Sequence, residues 1–276
     1  MRIDAHQHFW RYSPAEYGWI DARMGRIARD FLPEDLAPEL ARAGFDGCLA
    51  VQARTSLAET RFLLELARKH PFVRGVVGWV DFTAADVARV LAELAPEKAL
   101  VGLRHIVQSE PDDFLLRLDF QRGIAALAGT GLVYDVLVTP RQLEAARRFV
   151  ASFPAQPFVL DHLAKPDIAH AARDPWERQF RALGEFPNLA CKVSGLVTEA
   201  TWNAWKPADF RFYLDVALET FGEERLLFGS DWPVCLVAAR DWQAVHELVR
   251  DWAADLSPAA RAKLFGDNAA RLYHLA

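Results

Sequence analysis

The sequence predicts one (β/α)8 barrel over residues 1–276, and three observations carry that expectation. Short apolar runs bounded by Gly, Pro, Asn or charge alternate with longer stretches of helical periodicity. Eight such runs recur every ~32 residues, close to the ~30 of a βαβ unit. No Gly-rich phosphate turn follows the first run, which disfavours the alternative, a doubly wound open sheet.

The strand runs, in order, are 3–9, 46–53, 73–80, 99–106, 132–138, 157–163, 188–195 and 226–232. Each is brief and rich in β-branched or aromatic residues, as a strand buried on both faces should be. The helix after the first strand opens at Pro33 and stops at Gly44. The next begins at Ser56 with Glu59 three residues on, a capping-box pattern. Helical patterns follow over 82–96, 112–131, 139–153, 207–222 and 239–257, and 257–276 supplies closing helices.

Composition is that of an ordinary globule, with 52% apolar and 25% charged residues. A net charge of −5 without a basic block argues against a nucleic-acid surface. No run of ~18 apolar residues exists to span a membrane. Three distant cysteines and a start lacking an apolar signal core fit a cytoplasmic protein. A homo-oligomer is compatible with all of this.

In such a barrel, chemistry collects at the C-terminal ends of the strands. The polar residues there are His6 and His8, Gln52 and Arg54, Arg104 and His105, Asp135, Asp161 and His162, Lys192 and Ser194, then Ser230 and Asp231. His6 and His8 are two apart, so both face one side of their strand. Together with His162 and Asp231 they form a ligand set for one divalent ion, zinc first. Asp231, within FGSDWP, reads either as a turn residue or as a general base for water. Arg104 either pairs with Asp135 or clamps an oxyanion. Alternation turns Asp161 away from the side His162 faces, and Lys165 reads as a helix-start surface residue. Trp10, Trp202 and Trp232 are candidate flat walls for a sugar ring, with Gln52, Arg54 and Asp135 as hydroxyl partners.

The motifs IDAHQHFW, GLRH, LDHLAKP, KVSGL and FGSDWPV, in that order at strand ends, resemble the amidohydrolase superfamily. More narrowly they resemble its sugar-lactonase branch, the L-fuconolactonase-like and L-rhamnonolactonase-like hydrolases, related to the 2-pyrone-4,6-dicarboxylate lactonases. The resemblance runs from residue 3 to about 274 and implies a metal site at His6, His8, His162 and Asp231. Arg104 and His105 stand where binuclear members carry a carboxylated lysine, which implies at most one ion, and a dispensable one if Arg104 and His105 polarise the carbonyl. The implied reaction opens a sugar-acid lactone. Asp231 deprotonates water and later protonates the ring oxygen, with Arg104, His105 and His162 as the other catalytic groups. The alternative on the same residues is a metal-dependent, non-oxidative decarboxylase of an aromatic or unsaturated acid.

Overall fold

A computed structural model describes residues 1–276. Eight parallel strands follow one another around the sheet in chain order. They are β1 Ile3–Gln7, β2 Gly47–Val51, β3 Val73–Gly78, β4 Leu100–His105, β5 Val133–Val136, β6 Phe158–Leu160, β7 Leu189–Val193 and β8 Leu226–Phe228. A parallel bridge between Gln7 and Trp232 closes the ring. The Asp231 amide donates to the His6 carbonyl at 2.8 Å across that seam, and the His8 amide donates to Trp232. The expected barrel forms.

Helices cover the outside: α1 Pro33–Ala43, α2 Leu57–Lys69, α3 Val87–Leu94, α4 Leu118–Ala125, α5 Leu143–Ala151, α6 Trp176–Ala182, α7 Pro207–Phe221 and α8 Trp242–Trp252. Alternation divides the strand side chains into two cores. Ile3, Ala5, Val51, Val77, Val159 and Leu227 fill the barrel interior. Outward residues such as Cys48, Leu103, Tyr134 and Phe228 pack beneath the helices. The C-terminal helices, Pro258–Ala262 and Asn268–Leu272, plug the barrel floor. From there the Tyr273 hydroxyl donates to Asp135 Oδ1 at 2.6 Å.

Two local expectations are corrected. Ser56 makes no side-chain cap bond at the start of α2. Glu59 instead accepts from the Ala53 and Arg54 amides at 3.0 and 2.8 Å and from the Tyr17 hydroxyl at 3.2 Å. It pins the β2–α2 loop to the long loop after β1. The runs expected at 157–163 and 226–232 also overrun their strands, because the chain leaves the ladder early. His162 to Lys165, and Asp231, adopt left-handed conformations beyond the ends of β6 and β8.

Candidate active site

Four strands meet at one end of the barrel around His6. Its Nδ1 lies 3.3 Å from Asp161 Oδ1. Its Nε2 lies 3.2 Å from Arg104 Nη1 and 3.8 Å from Asp231 Oδ1. His8 Nε2 sits 3.2 Å from the same Asp231 oxygen. The His162 ring centroid is 4.4 Å from that of His6. The ring rests against the backbone of Gly195, where a Cβ would stand 2.4 Å from His162 Nδ1. Gly195 has φ +63°, a second reason for glycine. Ser194 Oγ and His162 Nδ1 are hydrogen-bonded at 2.8 Å.

Two sets of ligand atoms lie within 4.8 Å of one another: His6, His8 and Asp231, and His6, Asp161 and His162. Their surroundings differ. Asp161 is covered by cations, with Arg104 Nη1 at 2.8 Å and Lys192 Nζ at 3.2 Å. Burial alone would raise its carboxyl, but Lys192, His6 and Arg104 together hold it well below the ordinary range. Its charge is already answered by protein. At the other set, His8 Nδ1 lies 2.8 Å from the Val51 carbonyl, so that nitrogen carries the hydrogen. Its Nε2 points at the Asp231 carboxylate 3.2 Å away, and His6 Nε2 lies 3.8 Å from the same oxygen, so three potential ligand atoms converge there. Burial works to raise Asp231, yet His162, His8 and His6 around it bring it below its ordinary value. Burial pushes His6 well below its usual value and His162 down to about 4, so both rings are neutral, as ligation requires.

A cavity of about 190 Å³ opens above this cluster. That is smaller than the ~300–1,000 Å³ typical of drug-sized ligands and has room for a single ring. His8, Arg104, His162 and Asp231 face it together, with Ile106, Leu137 and Val234 as apolar wall. A groove of about 610 Å³ lies elsewhere, between the segments preceding β5 and β6, but no titratable side chain lines it. The smaller cavity therefore holds the chemistry.

Several residues expected at the mouth are elsewhere. His105 follows Arg104 on β4 and so faces the opposite side. It stacks on Phe114, accepts from Trp79 Nε1 at 3.0 Å and meets Glu110 at 3.1 Å. Trp10 and Trp232 are buried beside Phe31, away from the cavity. Trp202 donates to the Thr198 carbonyl and holds a loop. Arg54 turns to Glu16 and Glu59. Gln52 is buried as an acceptor for Arg104. Asp135, in register with Arg104, pairs instead with Lys192 and Tyr273. The long arginine reaches past it to Asp161, one layer nearer the mouth.

Two strand-end residues, Asp161 and Lys192, carry more of the site than the sequence assigned them, and a third contributor, Trp19, went unread. Asp161 keeps the inward parity of Val159, while the left-handed turn at His162 also aims that ring inward, so both reach the centre. Lys192 shares the inward side with Asp161 and fills the space between Asp135 and His6. The aromatic wall of the cavity is Trp19, on the loop after β1, packed edge-on against Trp10.

Fold and site together define a hydrolytic barrel with neutral imidazoles and an ionised carboxylate at the mouth. Comparison with known proteins places it further. The chain belongs to the amidohydrolase family, whose sequence profile matches residues 3–275. It is 46% identical to an L-fucono-1,5-lactonase of Burkholderia multivorans, over 100% of this chain and 96% of that one. It is 38% identical to an L-fucono-1,5-lactonase of Burkholderia ambifaria, again over 100% and 96%. A crystal structure of a Burkholderia multivorans amidohydrolase with bound zinc superposes with a TM-score of 0.96 at 46% identity, covering 100% of both chains.

Proposed function

We propose that this protein is a lactonase that opens the 1,5-lactone of a 6-deoxy sugar acid of the L-fucono type to the free acid. The observation that carries the reading is an ionised, buried Asp231 on the floor of a one-ring cavity, in a chain 46% identical over its whole length to an L-fucono-1,5-lactonase. The cavity chemistry suits such a ring. Trp19 offers a flat face, Ile106, Leu137 and Val234 an apolar wall for a methyl group, and Gln108 and Ser109 partners for hydroxyls.

Asp231 accepts a proton from a water poised on the lactone carbonyl, and the water oxygen forms the new C–O bond. Collapse of the tetrahedral intermediate breaks the bond to the ring oxygen, which receives the proton Asp231 holds. The donor set fits one zinc ion. His6, His8 and Asp231 would hold it, with His162 alongside. When bound, the ion supplies Lewis-acid polarisation of the carbonyl and a lowered pKa for water. Arg104 acts behind this layer. Four of its five N–H groups go to Asp161, the Gln52 carbonyl and, twice, Gln52 Oε1, and the fifth lies 3.2 Å from His6 Nε2, whose one lone pair meets either this hydrogen or the ion. It orients Asp161 and His6 from behind the ligand layer.

A panel of aldono-1,5- and 1,4-lactones beside hydroxybenzoates, followed by proton release, tests the reading. Turnover of a 6-deoxy-aldono-1,5-lactone above the rest is expected. Loss of CO2 from a hydroxybenzoate with every lactone inert would overturn it.

A further inference from the structure

One cation at the mouth has no part in the steps above. Lys165 lines the cavity, and its Nζ makes a single hydrogen bond, 2.6 Å to Glu199 Oε1. Two of its three ammonium hydrogens have no protein acceptor. The other cation facing the cavity, Arg104, is turned to Asp161, His6 and Gln52, and the His8 and His162 Nδ1 atoms are engaged by Val51 and Ser194.

The chain holds Lys165 there at a cost. His162, Leu163, Ala164 and Lys165 all have φ between 51° and 55°. A left-handed conformation brings Cβ too close to the following carbonyl oxygen at each such residue, so the turn is strained along its whole length. Such strain survives where the surroundings over-determine the backbone, and it collects at functional sites. Here Leu163 and Ala164 are fully buried, and Trp176 Nε1 donates to the Leu163 carbonyl at 2.8 Å. The Lys165 amide closes the turn on the His162 carbonyl at 2.7 Å. The result is that His162 and Lys165, three residues apart, face one cavity. A helix-start surface lysine needs none of this.

We propose that Lys165 is a catalytic residue whose ammonium hydrogen-bonds the lactone ring oxygen and stabilises the charge that develops as the C–O bond breaks. Glu199 sets its direction. The inference rests on the lactonase reading. In the step, the electron pair of the breaking bond goes to the ring oxygen, and the proton taken from water by Asp231 completes the new hydroxyl. Lys165 donates a hydrogen bond and keeps its proton, so one lactone and one water give one hydroxy acid.

The test runs Lys165→Met, Lys165→Arg and wild type in ¹⁸O-water, and recovers unreacted lactone at partial conversion. Loss of one electrostatic donor predicts a ~10²-fold fall in kcat for Lys165→Met with KM nearly unchanged. Slowed expulsion lets the intermediate revert, so the recovered lactone carries ¹⁸O above the no-enzyme control, and Lys165→Arg regains part of kcat. If Lys165→Met does not fold, Glu199→Gln keeps the lysine and loosens it; a ~10-fold fall in kcat with the same isotope signature is then expected. Wild-type kcat in the folded variant, or a loss without ¹⁸O in recovered lactone, overturns the role. Failure of the wild type to open any sugar lactone would instead bring down the reading beneath it.

Discussion

Replacing Arg104 with methionine removes a guanidinium that is 2% exposed and makes five polar contacts. Methionine keeps much of the volume, so the effect is electrostatic. Asp161 retains Lys192 at 3.2 Å and His6 at 3.3 Å, and is therefore not wholly unpaired. The Gln52 side chain and carbonyl lose their donor inside the barrel. Breaking a buried pair costs about 3–5 kcal/mol. For a chain this size each kcal/mol moves Tm by roughly 2–4 °C, so a fall of roughly 6–20 °C is expected by calorimetry. Because His6 and Asp161 lose a common brace, kcat/KM should fall by about 10²-fold as well. Arg104→Lys restores the charge but cannot fork across Asp161 and Gln52, and should recover only part of the stability. An Arg104→Met protein with wild-type Tm and wild-type kcat/KM would refute the brace. Wild-type Tm with lost activity would instead make Arg104 a group that meets substrate.

Other outcomes follow from the same structure. Tyr273→Phe removes the donor to buried Asp135 Oδ1, and should lower unfolding free energy by about 1–3 kcal/mol in urea titrations; an unchanged midpoint would show that the floor is not tied to the site layer. Burial lifts the Glu59 carboxyl from 4.5 to about 7, against the pull of the Arg54 and Ala53 amides. The folded state thus keeps a proton that the unfolded chain has lost, and this contribution to stability declines as pH rises from about 4.5 to 7, by up to about 3 kcal/mol. The stability difference between wild type and Glu59→Gln should therefore shift between about pH 5 and about pH 8, and a constant difference would count against it. Trp19→Ala strips the cavity's aromatic wall and should raise KM several-fold with little change in kcat; a matching loss in kcat would place Trp19 in the chemical step.

The parts of this protein written in local periodicity were legible in its sequence. Parallel strands buried on both faces announce themselves as short apolar runs, and their spacing counts the barrel. His6 and His8, two apart, could be assigned one face, and Asp231 could be brought beside them once β8 was taken to meet β1. Parity also separates Arg104 from His105, adjacent residues of one strand, although the two had been grouped at the mouth. What stayed hidden depends on where strands stop. Alternation carried on to residue 163 puts Asp161 and His162 on opposite sides; β6 ends at Leu160, and the left-handed turn brings both to the same centre. Trp19 lies in a loop with no periodicity, whereas Trp10 and Trp232, next to the motifs, are packing residues. The partner of Arg104 was decided by side-chain length across layers, which register alone does not reveal.

The claim on which the account stands is that Asp231 is the base. Its amide is fixed across the β1–β8 seam, its carboxylate lies 3.2 Å from His8 Nε2, and His162, His8 and His6 hold it ionised. The direct test is kcat of Asp231→Asn on the preferred lactone, with folding checked by circular dichroism and lactone affinity measured separately. A fall of at least ~10³-fold with binding retained is predicted, within the range for loss of an acid–base group. A folded Asp231→Asn enzyme keeping more than about a tenth of wild-type kcat would contradict it, since catalysis of that size cannot depend on the missing carboxylate.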